Sequence, residues 1–547
     1  MKEKISRIAQ DNSIEITLAE ACYFGFFILL SVTKGLGLYE GQKLFELLVF
    51  PALVLGIVKI LITPYTKRQW VVQTVLLILT AVVFYNSRER GILFLAFTVL
   101  GMKNISVKKV FHAGLWVWSL CAVVLSIFSF FRLEHTVYRV HAKMGLGHIF
   151  RWSLGFSHPN ILHITYLALC AFIIYALEER YGFRHFICMM AGNVLVFLYS
   201  ISYTGFGIVA VLLMGGLYVR LRPKFCIVEK LLANLVLPVC LVLSFVAPFY
   251  LYNNRWAYHV QKLNFILNTR IWLAEQFLRS EYRSLFGADI SKIVKSSMTM
   301  DNSYVWGYIN YGLIAFGLII AGYFVLLFYD TWKQRTRELV ILVCFLGAGW
   351  TEPLLFNTSF KNVTLIFLGS LLFLSKEGVK EYSLFPRMQR AVRVPLAGLL
   401  DRLWDEIRNI WKRGRGRMIG AAAAGAAAGL LACTILYTAP EGYVVQRFYT
   451  DGKEDEDNCV YVEGMDDPHY AGWKIMNYAG ADTPMQLVQG RAVQLETVRY
   501  CVGSALIGGL AGAACIVIYY GTVQHSGRKS GMSKQEQRRT GDNRERR

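Results

Sequence analysis

Four short polar motifs sit where long apolar segments of this chain begin or end. They are RWSLGFSHPN at 151–160, NTRIWLAEQFLRSEYRSLFG at 268–287, DNSY at 301–304 and TEP at 351–353. Arginine at a span end suits an anionic head group, and a carboxylate at the same level suits proton abstraction from a hydroxyl. In the second motif, Arg279 and Arg283 share a helix face. Arg270 lies about 180° around the helix from Arg279 and about 140° from Arg283 at about 100° per residue. One face cannot aim all three at one phosphate. Arg270 is therefore the candidate anion ligand, Arg279 and Arg283 are expected to be surface anchors, and Gly287 is expected to end the helix.

The other motifs each admit two readings. Arg151, with the helix start at Pro159 and Ser157 as its expected cap, could hold a phosphate at free N–H groups, or could be a snorkelling cation beside a capping turn. His158 is either a substrate contact or structural. Asp301 is either a general base at the membrane rim or, like Ser303, a helix cap, and Asn302 and Tyr304 are grouped with it as substrate contacts. Glu352 near a span end is either catalytic or the partner of a buried arginine. The hydroxyls of Ser202-Tyr203-Thr204-Gly205, at a tight turn between spans, can bond sugar or backbone, and backbone is the expectation.

The elements that must position these residues are membrane helices. Hydrophobic residues make up 55% of 547 positions, well above the share in a soluble domain. Apolar segments fall near 16–37, 43–64, 71–86, 91–102, 110–131, 159–177, 185–201, 204–219, 231–252, 304–328, 338–356, 362–375, 417–438 and 500–520. The expectation is an all-α polytopic membrane protein of about 14 spans. The first segment follows MKEKISR without a small-residue cleavage pattern and is read as a retained span.

Short loops carrying Lys67, Arg68, Lys108, Lys109, Arg180, Arg184, Arg220, Arg222, Lys224, Lys333, Arg335 and Arg337 share one side with the N-terminus. That side is expected to be the cytoplasm, with both termini on it. The segments 132–158, 253–303 and 439–499 then lie outside. Arg88 and Arg90 oppose this assignment. The net charge of +21 follows from positive-inside loops and a basic tail rather than from nucleic-acid binding. The 11 cysteines form neither a disulfide framework nor a metal-ligand spacing, and no metal or cofactor is expected.

Residues 1–375 read as one polytopic core. Residues 376–416 read as a cytoplasmic linker containing an amphipathic helix, with Leu396, Leu399, Leu400, Leu403, Trp404, Ile407, Ile410 and Trp411 on one face, expected to lie on the inner membrane surface. Residues 417–521 read as a small-residue transmembrane hairpin around the acidic outer segment 439–499. Residues 522–547 read as a basic, disordered tail.

In order and placement, RWSLGFSHPN, NTRIWLA…LFG, DNSYVWGYINYGL and TEPLLFNTSFKN resemble the O-antigen polymerase and ligase superfamily, most of all the Wzy-type polysaccharide polymerases of Gram-positive bacteria. The likeness spans roughly residues 16–375. It implies a C-class membrane glycosyltransferase that joins oligosaccharide repeat units carried on a lipid pyrophosphate, such as undecaprenyl pyrophosphate, into a capsule or exopolysaccharide. The reaction would occur on the outer face of the cell membrane, without metal, cofactor or nucleotide sugar, alongside a chain-length regulator or other glycan assembly proteins. Arg151 and Arg270 match the outer-loop arginines that such enzymes use for pyrophosphate and glycan. Asp301 stands where the superfamily's ligases usually carry histidine before asparagine. Ligase-like transfer to another acceptor, a transporter of lipid-linked oligosaccharide, and a non-catalytic membrane scaffold are the alternatives.

Overall fold

A computed structural model describes residues 14–131, 138–143, 147–267, 269–279, 283–290, 300–374, 379–388, 390–394, 397–447, 474–478, 485–488 and 490–542. The acidic cluster 454–457, Asp466, Asp467 and Cys459 lie outside the described residues, as do Arg132 and His135. The chain divides into two units, one of residues 16–139 with 151–392, the other of residues 1–15, 140–150 and 393–547.

The first unit is a helical bundle. Its helices are α1 (Leu18–Gly35), α2 (Lys43–Ile62), α3 (Lys67–Ser87), α4 (Gly91–Leu100), α5 (Val107–Phe131), α6 (Pro159–Leu177), α7 (Phe183–Ser200), α8 (Tyr203–Leu221), α9 (Ile227–Phe245), α10 (Ala247–Asn253), α11 (Tyr258–Ile266), α12 (Arg270–Arg279), α13 (Ser303–Trp332), α14 (Thr336–Gly349) and α15 (Thr364–Leu372). Among the described residues of the whole chain, 11 helices are long and apolar enough to cross a membrane. Three of the expected spans are shorter helices: α4 has 10 residues, α14 has 14 and α15 has nine. Large apolar side chains are exposed in stripes at helical spacing, Leu47, Phe50, Val54, Ile57 and Leu61 along α2 and Val71, Val75, Ile78, Val82 and Tyr85 along α3. Such a stripe facing outward belongs in lipid.

Hydrogen bonds and ion pairs sort the connections onto two ends. At one end Lys59 Nζ donates to Lys103 O at 2.9 Å, Lys103 pairs with Glu381 at 2.6 Å, and Tyr65 bridges Tyr382. The first part of the expected linker is thus packed against the bundle. At the other end Arg90 pairs with Glu40 at 2.9 Å and Glu46 at 2.6 Å, and Arg88 stands over the Tyr85 ring.

Two breaks shape that second end. Gly312, at φ 74 and ψ 169, interrupts α13. Residues 284–288 occupy the break: Leu313 N donates to Ser284 O, Ile314 N to Leu285 O and Ala288 N to Ile309 O. Gly287 does not end a helix as expected. Residues 283–287 are already outside any helix, and Gly287, at φ 90, packs against the Asn310 carbonyl, where a Cβ would overlap it. The second break is the connection 350–363. At 1.5 Å per residue α14 and α15 rise only about 21 and 14 Å, short of a hydrocarbon core of about 30 Å. Their connection therefore runs inside the bundle. Asn362 Nδ2 meets the Tyr323 hydroxyl at 2.8 Å, and Tyr323 lies midway along the part of α13 beyond Gly312.

Irregular backbone at such depth needs internal partners. Ser303 Oγ donates to Glu352 O at 2.6 Å and accepts from Leu355 N at 3.1 Å. Asn362 Nδ2 donates to Leu355 O at 2.9 Å, and the Tyr311 hydroxyl donates to Phe356 O. Phe360 packs edge-on against Phe26 and Phe94.

In the second unit, the linker's amphipathic segment and the first small-residue span are one continuous helix, α16 (Ala397–Leu436), rather than a surface helix followed by a span. The closing helix α17 (Arg491–Asp542) runs from the second small-residue span into the basic tail. Between them the described strands Tyr443–Arg447, Lys474–Tyr478 and Met485–Val488 form a sheet, the first lying between the other two, parallel to the second and antiparallel to the third.

Candidate functional site

The connection 350–363 carries Glu352 to the centre of a polar network at the Arg90 end. Glu352 Oε1 accepts from Arg270 Nη2 at 3.0 Å, Thr204 Oγ1 at 3.0 Å and Asn160 Nδ2 at 3.3 Å. Arg270 Nε donates to Asp301 Oδ2 at 3.1 Å. One guanidinium therefore joins both expected catalytic carboxylates. Arg151 reaches the same network through Asn160, whose Oδ1 accepts from Arg151 Nη2 at 2.5 Å, while Arg151 Nε donates to Ser200 O at 2.7 Å. Arg151, Arg270, Asp301 and Glu352, spread over 202 positions of chain, thus lie in one chain of charge-assisted bonds.

Each member is placed by a helix end. Arg270 opens α12, and Thr204 stands in the first turn of α8, whose N-cap Ser202 accepts from Gly205 N at 3.4 Å. Ser202 bonds backbone as expected, but Thr204 turns to the carboxylate. Asn160 stands in the first turn of α6, where Pro159 takes the first helical position. His158, not Ser157, caps that helix: its Nδ1 accepts from Asn160 N at 3.0 Å. Asn302, not Asp301 or Ser303, caps α13. Its Oδ1 accepts from Tyr304 N at 2.9 Å and Val305 N at 3.1 Å, and its Nδ2 donates to Ser244 at 2.9 Å. With capping done by its neighbour, Asp301 is left to face Arg270.

Three expected substrate contacts are turned inward or spent on structure. The Tyr304 hydroxyl is buried and donates to Leu346 O at 2.7 Å. His158 and Asn302 hold helix starts. Arg279 pairs with Glu275 and stands over the Tyr252 ring, and Arg283 donates to Leu278 O, so neither joins the network.

The electrostatics are uneven. Glu352 has a side chain only 4% exposed, against 26% for Asp301. Burial pushes the Glu352 carboxyl above its ordinary value, Arg270 pulls it down, Asp301 pushes it up, and Thr204 and Arg151 pull it down. Arg270 is held above its ordinary value: burial opposes its charge, and the attraction of Glu352 and Asp301 outweighs it. Arg270 spends Nε and Nη2 on the two carboxylates, and its side chain is 11% exposed. A cavity of about 20 Å³ beside Arg270, lined by Leu267, Asn302 and Trp350, has the volume of about one water.

Sequence reasoning did not single out Thr204 or Asn160 as site residues, nor His163. His163 sits one turn deeper in α6, its ring nitrogens 3.0 Å from Ser200 Oγ and 2.8 Å from Asn193 Oδ1. A histidine and an asparagine within apolar spans were the available signal. Comparisons with protein-family models, with curated proteins and with solved structures find no match to this chain.

Proposed function

We propose that the chain is an inverting, metal-independent glycosyltransferase that polymerises oligosaccharide repeat units carried on a lipid pyrophosphate, on the outer face of the cell membrane. The observation that carries this reading is the Arg270 guanidinium joined to both Asp301 and Glu352 at the end of a membrane bundle. The resemblance of the four motifs to Wzy-type polymerases supplies the reaction class.

In this reading Asp301, the more exposed carboxylate, takes the proton from an acceptor sugar hydroxyl as that oxygen attacks the anomeric carbon. The bond from that carbon to the lipid pyrophosphate breaks, and its electron pair leaves with the pyrophosphate. In this reading Arg270 stabilises the charge that grows there, and Arg151, buried behind it, holds Asn160 in place; preorganised cations act most strongly on charge that develops in the transition state. Glu352 holds Arg270 in place, and Asn160 and Thr204 hold Glu352. An apolar groove of about 440 Å³ between α3, α4, α13 and α15, lined by Leu76, Ile92, Ala315 and Leu368, supports a substrate with a prenyl tail. In this reading the short helices α4, α14 and α15 join the 11 longer ones as the 14 membrane segments, with both termini in the cytoplasm.

The test is purified protein incubated with lipid-pyrophosphate-linked repeat units. A ladder of products is expected. Lack of any ladder from folded protein, with substrate consumed by none of the usual acceptors, sinks the reading; transfer of one unit to a non-repeat acceptor instead makes it a ligase.

The break at Gly312 and the irregular connection 350–363 favour a second reading, a transporter of lipid-linked oligosaccharide, because broken helices beside buried ionisable groups also build transport sites. Movement of the labelled substrate across proteoliposomes without bond formation distinguishes it.

A further inference from the structure

The hairpin of α16 and α17 is packed backbone to backbone along one seam. A Cβ added at Gly512 would overlap Ala421 O, one at Gly425 would overlap Gly508 O, and one at Gly429 would overlap Ser504 O. These contacts advance four residues along α16 and retreat four along α17. The next step of the seam brings Cys433 beside Tyr500 and Cys501. The two sulfurs are 3.8 Å apart, Cys433 is 6% exposed and Cys501 is half-buried. Tyr437 stacks on Tyr500 at 4.5 Å one turn further on. Here α16 ends, at Leu436, while α17 extends back to Arg491.

A disulfide needs two Cα atoms about 4.4–6.8 Å apart and sulfurs about 2.05 Å apart. The glycine contacts bring the two backbones close along the seam, which favours the first condition. The second asks the sulfurs to close by less than 2 Å, a small side-chain rotation. We infer that Cys433 and Cys501 are a disulfide-forming pair, a covalent staple across the end of the hairpin that carries the sheet. The oxidant is a disulfide, protein-borne or small. The Cys501 thiolate, the more exposed, attacks it, forming a mixed disulfide and releasing one thiolate. The Cys433 thiolate then attacks the Cys501 sulfur, forming the Cys433–Cys501 bond and releasing the second thiolate. Two thiols are oxidised, two protons leave, and one oxidant disulfide becomes two thiols. Among the described residues Cys433 and Cys501 are the cysteine pair in sulfur–sulfur contact, so the chemistry is selective for this pair.

The experiment uses the full chain in detergent with 4,4′-dithiodipyridine, an apolar disulfide that reaches buried thiols, followed by alkylation of remaining thiols, proteolysis and mass spectrometry. The expected result is a peptide linking Cys433 to Cys501 within one chain, lost on reduction and absent in Cys433→Ser and in Cys501→Ala. Pyridyl adducts on Cys433 and Cys501 individually, with no linked peptide, overturn the proposal, as does a link that forms only between chains. The wild-type reading needs neither variant, and it is independent of any glycosyltransferase activity.

Discussion

Arg270 Nη2 and Glu352 Oε1 stand 3.0 Å apart across 82 positions of sequence, with side chains only 11% and 4% exposed. Removing one partner of such a pair strands the other charge in a low-dielectric site, at a cost of about 3–5 kcal/mol. Arg270→Ala is therefore expected to lower the melting temperature markedly as well as to abolish long polymer. Arg270→Lys keeps the charge but loses the fork that reaches Asp301 and Glu352 together. It is expected to keep most of the stability and little of the activity. Thermal unfolding in detergent and a polymer ladder check both; normal polymer from Arg270→Ala at normal expression removes Arg270 from the site.

Glu352 gives the stability a pH dependence whose sign follows from its environment. Its carboxyl is raised in the fold above its ordinary 4.5, mainly by burial. The folded state therefore holds this proton more tightly than the unfolded state. Its contribution is fully present below pH 4.5 and is lost as pH rises to the raised value. Glu352→Gln keeps an oxygen for Thr204 and Asn160 and cannot ionise. It is expected to flatten the decline in melting temperature above pH 4.5. An unchanged slope in Glu352→Gln assigns the decline to other groups.

How far the site was legible in the sequence depended on the range of each contact. Arg151, Arg270, Asp301 and Glu352 stood out because a charge at a span end is costly without a purpose or partner. Thr204 did not, since its bond to Glu352 spans 148 positions, and a hydroxyl in a helix's first turn ordinarily serves the backbone. Asp301 and Asn302 are equivalent cap formers by residue type, and only the path of the chain into α13 decides between them. The break at Gly312 was hidden because Tyr304–Phe328 is apolar on both sides of it. What opens it is the insertion of 284–288, a tertiary event without local signature. The helical class and the position of most spans were legible because they follow from apolar length, which is local.

Thr204 and Asn160 are positioning residues, and each supplies one bond to Glu352 Oε1. A hydrogen bond to a charged group contributes about 1.5–3 kcal/mol. Thr204→Val, which keeps the shape, is expected to reduce polymer formation about tenfold while leaving expression unchanged. Because Thr204 pulls the Glu352 proton affinity down, its loss moves the decline in melting temperature to higher pH. A drop in activity with no movement of that decline separates a packing defect from a positioning role.

Gly287 and Gly312 hold the inserted segment by conformations that a side chain resists. Gly287 has φ 90 and Gly312 φ 74. A Cβ on Gly287 would overlap Asn310 O, and one on Gly312 would overlap the Gly287 nitrogen and the Leu285 carbonyl. Neither obstacle is the end of a flexible side chain, so relief requires backbone movement. Each Gly→Ala change adds left-handed strain to that overlap, and a loss of several kcal/mol, about 2–4, is expected. The three bonds that join 284–288 to 309–314 break first. Limited proteolysis reads this directly: cleavage within 283–290 is expected in Gly312→Ala at temperatures where the wild type resists. Because α13 begins beside Asp301 and carries Ser303 under the Glu352 carbonyl, the same variant is expected to lose polymer formation while α16 and α17 melt as before. Protease resistance equal to wild type in both glycine variants would show that the break at Gly312 is not what fixes the segment.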